Sequence, residues 1–207
     1  MGDALWLSDD LDEAAAHYRA ALGVNAIAGD PWIEGFAERQ LGEVAWRRGD
    51  RDHAVGHLER AIAVFRAAGE RRGEAMGLLS KAGFSADLGR FDAALADARA
   101  AVAAFREIGD VWSVAWGECT VGRALVGTGR AAEAVERYRS AVTVFDDRSD
   151  DDSRAVALTG LAEAHLGLGE PERAREALGA ALEYLRDVGD PRVREVEERL
   201  ASLRGRG

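Results

Sequence analysis

A glycine returns every twenty residues along this chain, at Gly29, Gly49, Gly69, Gly89, Gly109, Gly129, Gly169 and Gly189, and only Ser149 breaks the series. The position after each beat is charged: Asp30, Asp50, Glu70, Arg90, Asp110, Arg130, Asp150, Glu170 and Asp190. All three prolines, Pro31, Pro171 and Pro191, stand two places after a beat. Glycine takes the left-handed cap that ends a helix, an acid favours the positive end of the next helix, and proline is tolerated in its first turn. The beat therefore predicts nine or ten antiparallel helices separated by two-residue turns.

Alternate intervals are the true repeat, because side chains recur forty apart rather than twenty. Ala14, Ala54, Ala94, Ala134 and Ala174 form one column, and Ala21, Ala61, Ala101, Ala141 and Ala181 another. Beside them run Leu22, Ile62, Val102, Val142 and Leu182, then Phe65, Phe105, Phe145 and Leu185. The spacings of four, seven, eight and eleven from Ala54 to Leu58, Ala61, Ile62 and Phe65 trace one helical face. The other helix of each pair carries Gly42, Ala82, Gly122 and Ala162. A mid-helix glycine costs on the order of 1 kcal/mol relative to alanine, so its use here predicts a close helix crossing.

A small residue, a seven-residue gap to the turn glycine, then alanines five and twelve residues further on: this resembles the tetratricopeptide repeat (TPR). The pattern reads Leu41-Gly42, Gly49, Ala54, Leu58, Ala61; Ala82, Gly89, Phe91, Ala94, Ala101; Gly122, Gly129, Ala134, Tyr138, Ala141; and Leu161-Ala162, Gly169, Ala174, Leu178, Ala181. The period is forty rather than thirty-four, about one extra turn per helix. Long repeats of this kind resemble the C-terminal arrays of large bacterial signal-transduction ATPases and regulators, on phrases such as Val64-Phe65-Arg66-Ala67-Ala68-Gly69. The resemblance implies an all-α, right-handed α-solenoid of antiparallel helix pairs. The expected organisation is one array over 1–207: a leading half repeat at 4–30, full repeats at 31–70, 71–110, 111–150 and 151–190, and a C-terminal capping helix at 191–204.

Composition narrows the partners. A net charge of −10 and a pI near 5.0 oppose phosphate backbones and anionic lipid, so neither nucleic acid nor membrane is expected. Cys119 is the only cysteine, which leaves no disulfide framework and fits a cytoplasmic setting. The chain carries no run of about 18 apolar residues and no signal-peptide start. Lys81 is the only lysine, and that bias, with abundant alanine and glycine, points to a GC-rich bacterial source.

Candidate chemistry is thin. His53 and His57 share a helical face at metal-binding spacing, but residue 54 is the packing alanine and no third ligand is evident, so they read as a solvated face. His165 reads as a core histidine. Cys119 has no base in reach, Asp146 to Asp152 lacks the glycine and glutamate of a calcium loop, and Gly127-Thr128-Gly129 lacks a preceding strand and a lysine. Ser153 or Asp152 is expected to cap the helix after the acid run. No cofactor, no metal and no catalysis are implied.

What remains is the concave groove that the TPR resemblance assigns to the first helices. Its positions carry Phe36, Arg39, Glu43, Trp46 and Arg47, then Met76 and Leu79, then Trp116, Cys119 and Arg123. The lysine and asparagine carboxylate clamp of some family members is missing. The stripe of Phe36, Trp46, Met76, Leu79 and Trp116 with Arg39, Arg47 and Arg123 suits a protein or peptide partner, an amphipathic helix or extended segment with acidic groups. The alternative is that these aromatics pack against one another. Trp32 and Trp112 are expected to fill the gap left by the longer repeat. The function implied is a sensor or docking module of a larger regulator; a small-molecule or signalling-peptide receptor, and a self-assembly module using Leu5, Trp6, Tyr18 and Leu22 at the N-terminal edge as a homodimer, stay open.

Overall fold

The computed structural model describes residues 8–204, which form helices joined by short turns with no strand among them. Two compact units divide the chain, Met1–Phe84 and Ser85–Gly207. The first holds α1 (Ser8–Ala28), α2 (Pro31–Arg47), α3 (Arg51–Ala68) and most of α4 (Arg71–Asp87). The second holds the end of α4, then α5 (Phe91–Glu107), α6 (Val111–Gly127), α7 (Ala131–Asp147), α8 (Asp151–Gly167), α9 (Pro171–Asp187) and α10 (Val193–Arg204).

Every beat glycine adopts the left-handed conformation, with φ between 66° and 82°. The amide one place later reaches back five residues to close the turn, as in Asp50 to the Ala45 carbonyl at 2.9 Å and Glu170 to the His165 carbonyl at 2.9 Å, while after Gly29 the Asp30 amide meets the Asn25 side chain at 3.0 Å. Most connections have three residues rather than the expected two, as in Arg48-Gly49-Asp50, because the residue before the glycine already serves as the helix cap. Ser149 fills the missing beat in the same conformation, with φ 53°, despite the cost of a Cβ there. Aspartates finish the boundaries: Asp30, Asp50, Asp110 and Asp150 each accept backbone N–H bonds from the next helix. The cap of α8 is therefore Asp150, which receives the Ser153 amide at 3.1 Å, rather than Ser153 or Asp152.

The alanine columns are the seams. Ala54, Ala61, Ala94, Ala101, Ala134, Ala141, Ala174 and Ala181 are fully buried, and Phe65, Phe105, Phe145 and Leu185 lie beside them in the core. In α1, the first helix among the described residues, Ala14 and Ala21 are only partly covered. The mid-helix glycines mark close crossings: a Cβ on Gly42 would stand 3.1 Å from the Ala54 carbonyl oxygen, and one on Gly122 would stand 2.7 Å from the Tyr138 ring. The columns read from the sequence thus select both the packing face and the crossing point.

At the end of the second unit, α10 buries Val196, Leu200 and Leu203. Arg175 donates to the Leu203 carbonyl at 3.2 Å, Arg199 pairs with Glu163 of α8 at 3.0 Å, and Arg192 pairs with Asp152. The opposite side of α10 is polar, with Arg194, Glu195 and Glu198 exposed.

Candidate functional site

In the first unit, the start of α2 presents Trp32, Ile33 and Phe36, each between 37% and 40% exposed. These residues are held from beneath. Trp32 tilts against buried Phe65 at 5.4 Å, and the Tyr18 ring of α1 meets Phe36 edge-on at 6.4 Å. The Phe65 ring lies where side chains on Gly35 and Gly73 would be, since a Cβ at either would stand within 2.6 Å of it. The glycines thus let Phe65 sink and give Trp32 its seat.

One turn later, Arg39 stands over the Phe36 ring at 5.6 Å. Burial pushes its guanidinium below the ordinary arginine value, against the opposing charge of Glu43. Trp46 is placed differently. Its ring stacks on Phe84 at 4.0 Å and the Arg51 guanidinium covers it at 3.8 Å, so both faces are occupied and it serves as a packing residue of the α2, α3 and α4 cluster. Met76 and Leu79 are half-buried on α4.

In the second unit, α6 carries the matching aromatics eighty residues on. Trp112 and Trp116 stack at 5.9 Å, and both meet the buried Phe145 ring edge-on, at 6.3 and 6.4 Å. The Trp112 indole N–H donates to Asp150 at 2.6 Å, tying this cluster to the cap of α8. Arg123 is committed to Asp87 at 2.7 Å. Cys119 is buried and its thiol is pushed up to about 12 by burial and by Glu118, which keeps it protonated and unreactive at neutral pH.

Several sequence expectations change place. Leu5 and Trp6 lie outside the described residues. Tyr18 and Leu22 turn inward onto the Leu11, Ala15, Leu41 and Val44 cluster, so they support α2 rather than form an open edge. The large apolar residues α1 does expose are Val24 at 73% and Ile27 at 94%. His53 is exposed and bonds Asp50, but His57 is not on a solvated face: its Nδ1 lies 2.6 Å from the Glu38 carboxylate, with both groups largely buried. His165 is a core residue, as its position implied, with Nδ1 2.7 Å from Glu170.

Sequence reasoning missed a buried acid at one register. Glu118 is 3% exposed and takes Arg106 from α5 and Arg137 from α7. Glu38 holds the same place eighty residues earlier, with His57 standing where Arg137 stands and Arg60 completing it at 2.9 Å. The even repeats carry Leu78 and Leu158 there. The signal was present as an eighty-residue period, Trp32/Trp112, Glu38/Glu118 and Gly42/Gly122.

Antiparallel helix pairs ended by left-handed glycines and seamed by buried alanines define a class, the helical-repeat proteins. Tetratricopeptide repeat models match residues 113–187 and, separately, residues 1–20 and 36–60. The chain is a tetratricopeptide-repeat-type protein. No curated protein sequence matches it. Among solved structures it is similar to BtubC (BKLC) from P. vanneervenii, at 16% identity over 93% of this chain and 82% of that one, with a TM-score of 0.76. It is similar also to a Podosopora anserina putative kinesin light chain with nearly identical TPR-like repeats, at 19% identity, 87% and 89% coverage and a TM-score of 0.67. A Rap protein complexed with competence and sporulation factor matches over 95% of this chain but 53% of its own length, at 13% identity and a TM-score of 0.77. At such identities the likeness carries the fold.

Proposed function

We propose that this chain is a protein- or peptide-binding scaffold that receives its partner on the groove face of α2, as a sensor or docking module of a larger bacterial regulator. The observation that carries the reading is the half-open patch of Trp32, Ile33 and Phe36 with Arg39 beside it, an anchored aromatic surface next to a cation. Repeats of this class, and the Rap protein that holds competence and sporulation factor on a similar fold, support it by analogy. The partner suited to the patch is an amphipathic or extended segment bearing an acidic group.

The test is selection of peptides from a random displayed library on the intact chain, followed by Phe36→Ala. The expected result is a consensus with an aromatic or aliphatic anchor whose binding falls at least about tenfold in the variant, with thermal melting still cooperative. Selected peptides that bind the variant as well as the parent overturn the reading.

Val24 and Ile27 favour a second reading, self-association through α1, because two large side chains this open sit on one side of one helix. Light scattering on the parent and on Ile27→Glu decides it: a dimer mass lost in the variant supports it, and a monomer mass in both removes it.

A further inference from the structure

We infer that Arg39 and Tyr18 form a subsite for a single carboxylate at the junction of α1 and α2, an inference that rests on the peptide-binding reading of the α2 face. Of the three arginines expected to meet an acidic partner, Arg123 already pairs with Asp87 at 2.7 Å, and Arg47 takes part in an interaction within the chain. Arg39 differs. Among the described residues no carboxylate stands within 4.0 Å of it, and its guanidinium lies over the Phe36 ring. Glu43 acts on it from beyond ion-pair distance, so a guanidinium that has lost part of its water without a directly bonded carboxylate is left at a cost, which an arriving carboxylate relieves. The downward push of burial on Arg39 records that loss of water.

Tyr18 supplies the second donor. Its oxygen accepts a bond from the Gln40 amide at 3.0 Å, which leaves its own proton free to donate. Tyr18 and Arg39 both flank the Phe36 ring, at 6.4 Å between ring centroids and 5.6 Å from guanidinium to ring. Two donors around one apolar ring fit a carboxylate beside an apolar side chain. Glu43 sets the upper limit on charge: its carboxylate acts on Arg39 from the same helix, so a doubly charged phosphate is repelled more strongly than a carboxylate. The second unit has no counterpart, because Cys119 stands at the register of Arg39.

A carboxylate reaches such a subsite either as an acidic side chain or as a chain terminus. Four short acetylated peptides of one apolar sequence separate these sources: one with an internal aspartate and an amidated end, one with asparagine and an amidated end, one with asparagine and a free end, and one with phosphoserine and an amidated end. Each is titrated into the isotope-labelled intact chain while the Arg39 Nε–H signal is followed. At least one carboxylate peptide is expected to bind about tenfold or more tightly than the asparagine amide, and the phosphoserine peptide more weakly than the better acid. Arg39→Gln should erase the preference, Arg39→Lys should retain part of it, Tyr18→Phe should reduce it about threefold to tenfold, and Glu43→Gln should strengthen it. Equal binding of all four peptides, or a preference that survives Arg39→Gln, overturns the subsite while leaving the peptide-binding face intact. Binding by none of them overturns both.

Discussion

The starts of α2 and α6 occupy the same register of the repeat, eighty residues apart, and they have been put to different uses. Both set a tryptophan over a buried phenylalanine, Trp32 on Phe65 and Trp112 on Phe145. In α2 the neighbouring aromatic, Phe36, stays half-open and shares its ring with Arg39. In α6 the neighbour, Trp116, stacks on Trp112, and the indole N–H of Trp112 is spent on Asp150. The place of Arg39 is taken by a buried cysteine. Trp112 is as open as Trp32, at 39% against 38%, so the repeat decides where the first aromatic stands, and the neighbours decide whether the next one is left open, as Phe36 is, or stacked, as Trp116 is.

That difference can be broken or sharpened by substitution. The largest effect is expected from Phe65→Ala and Phe145→Ala, each costing about 3–5 kcal/mol in denaturant unfolding because each removes a fully buried ring. Only the second should also change the near-ultraviolet dichroism of the stacked Trp112 and Trp116 pair. Glu118→Gln is next, at about 1–2 kcal/mol, since it leaves Arg106 and Arg137 without their charge partner but still able to reach water. Glu38→Gln, at the matching register but with a more open carboxylate, should cost less.

Ser149→Gly should stabilise the chain by about 1 kcal/mol by removing a Cβ from a left-handed turn, and Gly129→Ser should cost a similar amount. An unchanged midpoint in both would mean that the turns relax around the side chain. Acid gives the smallest effect. The His165 contact holds Glu170, and the Arg192 hydrogen bond holds Asp190, below their ordinary values of 4.5 and 3.8. A lowered folded-state value gives stability that is complete above the ordinary value and is lost as pH falls through the lowered one. Melting of the second unit should therefore weaken below about pH 4, and Arg192→Gln should remove part of that dependence.

The fold was legible because its signals are local and repeated. A left-handed glycine every twenty residues, an aspartate cap after it and an alanine every forty leave little choice of helix boundary or packing face. Gly42 and Gly122 even announced the crossing points. The site was less legible, because exposure depends on what lies across from a residue. Trp46 and Phe36 share a face by spacing, but Phe84 and Arg51 close over one and leave the other open. Tyr18 looked like an edge residue, and its partners Phe36 and Gln40 lie on the next helix. Glu38 and Glu118 escaped notice because their partners come from other helices.

The most direct test is to map a selected peptide on the labelled chain by amide chemical shifts, in parallel on Phe36→Ala and Trp116→Ala. A docking face on α2 is expected to concentrate the shifts between Ile33 and Glu43, to lose at least about tenfold in affinity in Phe36→Ala and to keep its affinity in Trp116→Ala. Shifts confined to α3, α5 or α7, with Phe36→Ala binding as the parent does, would contradict it.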